Sequence, residues 1–281
     1  MKIDGREISS QILEDLKQRV EKLKEKNVIP HLYIILLSDD PSSVSYVKQK
    51  MLRAREIGIK ITLDKENPDI STKELLEKIE ELNNDSSIHG IIVQRPMPKN
   101  LDEETIAKAI MPQKDVDGFN PNSKFDVPVA LAILKMLNTI HPQNFNNWLI
   151  QQKICVIGKG ITAGKPIINS LQKLGIKPLI IDSKTNNRNE ILKNCEIIIS
   201  AVGKPDIFKS SEIKDGAILI GVGLHGEDDG KFHGDFRENE IQNIASFYSP
   251  TPGGVGPVNV AMLLQNLVKA SGAIDNHPKN D

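Results

Sequence analysis

The chain has 281 residues, long enough for two domains each with its own core. Its 36 basic and 37 acidic residues leave no excess of positive charge for a polyanion, which argues against nucleic acid as a partner. No apolar run has the length of a membrane span, the start Met-Lys-Ile-Asp-Gly carries no signal-peptide core, and the only cysteines, Cys155 and Cys195, fit buried structural roles in a reducing compartment. A soluble, cytoplasmic protein that does not engage membranes is expected.

In chain order, Ile8 to Lys26 predicts an amphipathic helix, with Ile8, Ile12, Leu16, Val20 and Leu23 on one stripe. Leu32 to Leu37 reads as a buried strand, Ser42 to Ile57 as a helix and Ile59 to Leu63 as a strand. Thr72 to Asn83 predicts a helix, Ile88 to Val93 a strand ending at Gln94, and Asp102 to Ile110 a helix stopped before Pro112. This alternation implies a parallel sheet covered on both faces. A turn-rich stretch from Pro112 to Pro128 then separates the first half from the second.

The second half opens with Lys153-Ile-Cys-Val-Ile157, a short buried strand. Gly158-Lys-Gly160-Ile-Thr-Ala-Gly164 follows, then a helical segment from Lys165 to Leu174, then Pro178-Leu-Ile-Ile181 ending in Asp182. Strand, glycine turn, helix, strand and acid form the layout of a dinucleotide site. The spacing G-x-G-x-x-x-G is one residue longer than the usual fingerprint, and an ordinary turn between strand and helix would also favour glycine. Glu196 to Ala201 and Ala217 to Val222 read as further buried strands. Ser249-Pro-Thr-Pro-Gly-Gly-Val-Gly-Pro257 cannot be helix interior or central strand. It leads into an apolar helix, Val258 to Ala270, whose free N-terminal N–H groups could face a ligand. Residues from about Asp275 read as disordered.

Ligand sites in such sheets lie at the carboxyl ends of strands, in a cleft between domains. Gln94 and Asp115-Val-Asp117-Gly118 occupy such positions. Tyr46 and Lys50 lie one turn apart on a helix and project on one face. A lysine desolvated beside an aromatic ring can serve as a catalytic acid or base. From this segment alone, Lys48, Lys50 and Arg53 read more simply as a solvated helix surface.

Four motifs now stand in order: Ser38-Asp-Asp-Pro-Ser-Ser-Val-Ser-Tyr-Val-Lys-Gln-Lys50, His89-Gly-Ile-Ile-Val-Gln-Arg-Pro-Met-Pro98, Pro112-Gln-Lys-Asp-Val-Asp-Gly118 and the 249–257 loop. Together they closely resemble the bifunctional methylenetetrahydrofolate dehydrogenase/cyclohydrolases, from Asp4-Gly5 to about Ala270. The resemblance implies an α/β fold of two domains around a cleft, the second a Rossmann-like dinucleotide-binding parallel sheet. Residues 1–119 with 258–281 would form the folate domain and 120–257 the dinucleotide domain. Lys50 would be the catalytic lysine, Gln94 would hydrogen-bond it, and Asp117 would hold the amino-pyrimidine edge of the pterin. Tyr46 would stack on the pterin, and Gly253, Gly254, Val255 and Pro257 would border folate and nicotinamide. The implied reactions are oxidation of 5,10-methylenetetrahydrofolate by NADP, with NAD as the alternative, and hydrolysis of the methenyl product to 10-formyltetrahydrofolate. No metal is implied, and a homodimer formed through the dinucleotide domains is.

The departures from the family pattern fall mostly on the cofactor side. Gly-Arg-Ser after the first nucleotide strand is Gly158-Lys159-Gly160 here, and His-Ser-(Lys/Arg)-Thr after the second is Asp182-Ser183-Lys184-Thr185. The Asp of a late Asp-Val-Gly is Gly221. The stretch after Asn122 is shortened and lacks the family's Pro-Cys-Thr-Pro, which removes part of the expected cleft wall. A carboxylate at Asp182 suits the ribose hydroxyls of NAD, whereas Lys159, Ser183 and Lys184 suit the 2′-phosphate of NADP. A cyclohydrolase with weak or NAD-dependent dehydrogenase activity, or a silent folate- or nucleotide-binding protein, are the alternatives.

Overall fold

A computed structural model describes residues 1–226 and 232–272, so the expectation of a disordered tail from Asp275 lies outside the described residues. The chain folds as two compact units. One holds Ser10–Pro128 and the last helix from Val260; the other holds Met1–Ser9 and Val129–Asn259.

In the first unit, helix α1 (Gly5–Glu25) is followed by β1 (His31–Leu36), α2 (Pro41–Glu56), β2 (Lys60–Lys65), α3 (Thr72–Asn84), β3 (Gly90–Val93) and α4 (Glu103–Ala109). The strands form a parallel sheet in the order β2-β1-β3, with Leu32 beside both Ile61 and Gly90. The central strand is nearly continuous apolar sequence because helices cover both of its faces. Ile35 and Ile91 pack with Leu75 and Ile79 of α3 and Ile106 of α4. Local signals fix the helix starts: Ser71 and Glu74 close a capping box on α3, and Asp102 caps α4. The stripe Ile12, Leu16, Val20 and Leu23 of α1 is buried as its spacing predicts.

In the second unit, α5 (Pro128–Ile140) and α6 (Phe145–Leu149) precede β4 (Ile154–Ile157), α7 (Gly164–Lys173), β5 (Leu179–Ile181), α8 (Arg188–Asn194), β6 (Ile197–Ser200) and β7 (Ile218–Gly221). A small hairpin of β8 (Leu224–Gly226) and β9 (Phe232–Gly234), then α9 (Glu238–Ile241) and β10 (Phe247–Tyr248), lead into α10 (Val255–Ala270). The parallel sheet has the order β10-β7-β6-β4-β5. Its strand order reverses between β4 and β6, since the chain moves outward from β4 to β5 and then returns to the far side. Cys155, Ile198, Leu219, Phe236 and Tyr248 form its core. Both cysteines are buried free thiols, as expected.

The boundaries fall at 9/10, 128/129 and 259/260, not at 119/120 and 257/258. The first residues join the second unit because the Ile3 N–H donates to the Tyr248 carbonyl at 2.8 Å and the Tyr248 N–H donates to Met1 at 2.9 Å. Residues 120–128 stay with the first unit because Asn266 of α10 donates from Nδ2 to the carbonyls of Val116 and Asp126, at 2.9 and 3.0 Å. The stripe of α10, Val260, Leu263, Leu264 and Leu267, is buried, and Leu267 lies against Gly90 of β3. This helix starts at Val255, three residues before the sequence expectation, with Pro257 inside its first turn. A first-turn proline is tolerated because its missing N–H would have no helical partner.

Candidate active site

Helix α2 begins at Pro41 behind Asp40, whose carboxylate accepts from the Ser43 N–H at 2.9 Å. Its buried positions are Ser43, Val47, Lys50 and Ala54, the spacing of one inward-facing stripe. Lys50 therefore sits where the helix places core residues, while Lys48 stays exposed and Arg53 pairs with Glu56. The solvated-surface reading fails for Lys50 alone. Its side chain is only 5% exposed, and burial lowers its pKa from the usual lysine value, partly offset by the charge of Asp117.

Gln94 follows β3 directly, and its backbone N–H still donates to Ile35 of β1 at 2.8 Å. Lys50 Nζ donates to Gln94 Oε1 at 2.9 Å, and Gln94 Nε2 donates to the Arg95 carbonyl at 2.7 Å. The amide is thereby oriented with its oxygen toward the lysine. The Tyr46 ring centroid lies 5.7 Å from Lys50 Nζ. Arg95 stacks over the Phe119 ring at 4.2 Å and pairs with Glu103, which braces the segment after Gln94.

Asp117 sits on a loop held by its neighbour. The Asp115 carboxylate accepts from the N–H groups of Gly118 and Asn120 at 3.1 and 2.8 Å. Burial pushes the Asp115 pKa up to about 6, against those N–H bonds. Asn120 Nδ2 donates in turn to Lys108 and Ile110 at the end of α4. Asp115 was expected only as part of the Asp115–Gly118 loop, with no role of its own, and Asn120 was not expected at the site. An Asp followed three residues later by a glycine N–H has the spacing of a turn-capping side chain.

The glycine turn stands at the carboxyl end of β4. A Cβ on Gly164 would lie 2.2 Å from the Gly158 carbonyl oxygen, so the turn can close onto α7 only without side chains there. Gly160 has open space where its Cβ would be, and the residue before α7, Ala163, caps no N–H group with its side chain. The Lys165 N–H donates to the Gly160 carbonyl at 2.9 Å and Pro166 has no N–H, so an anion here would meet the backbone of the turn rather than the first turn of α7. Lys159 and Asp182 meet across the turn, Nζ to Oδ2 at 2.7 Å. That contact, with the Lys184 N–H at 2.9 Å, holds the Asp182 pKa down to about 2. The Asp182 N–H donates to Thr185 Oγ1 at 3.0 Å, closing the turn. Lys184 joins through its backbone, and the side chains of Ser183 and Lys184 are exposed.

The family profile for the tetrahydrofolate dehydrogenase/cyclohydrolase catalytic domain matches residues 3–117, and that for the NAD(P)-binding domain matches residues 128–274. The chain belongs to this family. A bifunctional protein FolD of Lactococcus lactis subsp. cremoris (strain MG1363) is 37% identical over 278 residues, covering 96% of each chain. The crystal structure of a bifunctional methylenetetrahydrofolate dehydrogenase/cyclohydrolase from Campylobacter jejuni has a TM-score of 0.90 at 33% identity, covering 97% of this chain and 98% of its own. A Trypanosoma brucei enzyme of this family, complexed with NADP and an inhibitor, has a TM-score of 0.88 at 26% identity, with 97% of both chains covered. The fold expected from the sequence, α/β with two domains and a parallel dinucleotide-binding sheet, is that of the family.

At the start of α10, Gly253 has a φ of +106°, and the Gly254 carbonyl oxygen lies where a Cβ on Gly5 would be, at 1.8 Å. Gly5 must therefore lack a side chain, and a Cβ on Gly254 would itself lie 2.5 Å from the Pro250 carbonyl oxygen, so conformation and packing require glycine at 253 and 254. Gly256 has open space where its Cβ would be. At Gly221, where the family has an acid, the Phe236 ring would lie 3.0 Å from a Cβ. Its N–H donates to buried Ser249 at 2.8 Å. Among the described residues no group of three or more His, Cys, Asp or Glu side chains could hold a metal ion, and no helix is long and apolar enough to cross a membrane.

Proposed function

We infer that this chain is a bifunctional enzyme of folate one-carbon metabolism. It oxidises 5,10-methylenetetrahydrofolate to the methenyl form with NADP and hydrolyses that product to 10-formyltetrahydrofolate. Family membership over both halves carries the activity, and the buried Lys50–Gln94 pair supports the residue roles. The unit holding Lys50 takes the folate chemistry, and the unit holding the glycine turn takes the dinucleotide. Bound NADP supplies the hydride acceptor. The glycine turn, Gly158, Gly160 and Gly164, would hold its pyrophosphate, with Lys159, Asp182, Ser183 and Lys184 around the adenosine ribose. Gly253, Gly254, Val255 and Pro257 would offer backbone beside the reacting rings.

In the folate unit, Asp117 accepts from the amino-pyrimidine edge of the pterin and Tyr46 stacks on its face. Burial favours the uncharged amine of Lys50, which can take a proton from the water adding to the methenyl carbon. The resulting ammonium returns that proton to N5 as the carbon–N5 bond breaks, and the hydroxyl proton leaves as the formyl group forms. Gln94 Oε1 accepts from the amine throughout and holds its lone pair in one direction. A single lysine suffices because the cofactor carries the redox chemistry.

A second reading, a cyclohydrolase with weak or NAD-dependent dehydrogenase activity, draws on one observation: the Lys159 cation is already engaged by Asp182. Two assays separate the readings. Methylenetetrahydrofolate is offered with NADP or NAD while methenyl absorbance is followed, and methenyl hydrolysis is followed separately. Both activities with NADP are expected; hydrolysis without reduction of either nucleotide would favour the second reading.

We also propose a homodimer through the dinucleotide unit, supported by the exposed Leu179 and Ile180 on edge strand β5. Light scattering at micromolar concentration tests this, and a monomeric mass would refute it. A cytoplasmic location is supported by the two buried free thiols.

A further inference from the structure

Asp235 follows the β8–β9 hairpin and has no solvent exposure. Its carboxylate accepts from four backbone N–H groups on two other loops. Val202, Gly203 and Lys204, after β6, donate at 3.2, 2.7 and 3.2 Å, and Gly223, after β7, donates at 3.2 Å. Its own carbonyl accepts from the Ile207 N–H at 2.9 Å. The first of these loops stands at the point where the strand order reverses, beside β4, which is where open parallel sheets bind nucleotides. It also touches the glycine turn, because a Cβ on Gly158 would lie 2.7 Å from the Ala201 carbonyl oxygen. Gly223 leaves room for the carboxylate: a Cβ there would lie 2.2 Å from Asp235 Oδ1.

We propose that Asp235 is a positioning residue for the dinucleotide, fixing the loops after β6 and β7 so that their backbone meets the cofactor. The charge is needed as well as the shape, because four donors converge on two oxygens and no neutral side chain of that size offers only acceptors. Asp235 belongs to the dinucleotide unit, and Lys50, Gln94 and Asp117 to the other, so it serves the dehydrogenase step and not the hydrolysis. This inference rests on the dinucleotide reading given above for the second unit.

The bifunctional reaction supplies the control. In Asp235→Asn, one acceptor becomes a donor facing backbone N–H groups. The KM and calorimetric Kd for NADP should rise at least about tenfold, the loss expected for a charge-assisted bond. Methenyl hydrolysis should stay within about twofold, since its residues lie elsewhere. Gly223→Ala displaces the carboxylate from the other side and should give the same split. Loss of both activities together, with a lowered Tm, would make Asp235 a general structural residue and overturn the proposal. Unchanged NADP affinity in both variants would also overturn it. Failure of the wild type to bind NADP would instead refute the dinucleotide reading itself.

Discussion

Lys50 Nζ lies 2.9 Å from Gln94 Oε1, a contact between the inward stripe of α2 and the carboxyl end of β3. Replacing Lys50 with Met keeps the apolar stem in its buried slot and removes the proton carrier. Methenyl hydrolysis should fall by about 10²–10⁴-fold, the usual worth of a positioned acid–base group. Arg should not rescue it, because a guanidinium stays charged and cannot cycle a proton. Near-normal hydrolysis by Lys50→Met would remove the lysine from the mechanism.

Asp117 opposes the effect of burial on Lys50, since its negative charge favours the ammonium. Asp117→Asn removes that charge, so the Lys50 pKa should fall further below the usual lysine value. The free enzyme is the right sample, because Asp117 is also the proposed partner of the pterin. Titration of the ¹³Cε resonance of Lys50 by NMR reads the shift directly. A pKa that rises or stays fixed would show that Asp117 does not act on the lysine.

Much of the fold was legible because its strands are short apolar runs set between amphipathic helices. The inward stripe of α10 could be read from Val260, Leu263, Leu264 and Leu267 alone. The burial of Lys50 was not legible from α2 by itself, because a lysine among Lys48 and Arg53 has the look of a wet surface. The neighbouring motifs corrected that. Strand β10 was missed because two residues show no period, and with it went the pairing that draws Met1–Ile3 into the second unit. Asp235 and Asn266 act by gathering backbone groups that are distant in sequence, and such roles leave no local pattern.

Asp115 gives the protein a pH-dependent stability of definite sign. Its folded pKa is about 6 against 3.8 for the unburied group, so between these values the folded state holds a proton that the unfolded chain releases. Stability from this group is fully present below about pH 4 and is lost as pH rises through about 6. The shift corresponds to roughly 3 kcal/mol at most. Asp115→Asn carries a constant cost but no titration. The difference in urea-derived stability, wild type minus variant, should therefore shrink from pH 4 to pH 7. A difference that grows over this range would mean that the folded carboxylate titrates below its usual value.

Asp182 engages Lys159, the cation proposed to meet a dinucleotide. The carboxylate is folded into its own turn by Lys184 and Thr185 and reaches Lys159 at 2.7 Å, so the pair presents little net charge. A 2′-phosphate would have to share the ammonium with Asp182, and a nearby like charge repels it. Asp182→Ala frees the cation and removes the repulsion. The ratio of kcat/KM for NADP to that for NAD should rise about fivefold or more, with most of the change in the KM for NADP. Lys159→Ala should lower the same ratio. If the wild type instead prefers NAD at least about tenfold and Asp182→Ala erases that preference, then Asp182 selects for the ribose hydroxyls of NAD. NADP would then not be the natural cofactor. Methenyl hydrolysis measured alongside should be unchanged in both variants, because Lys159 and Asp182 lie in the unit that does not hold Lys50.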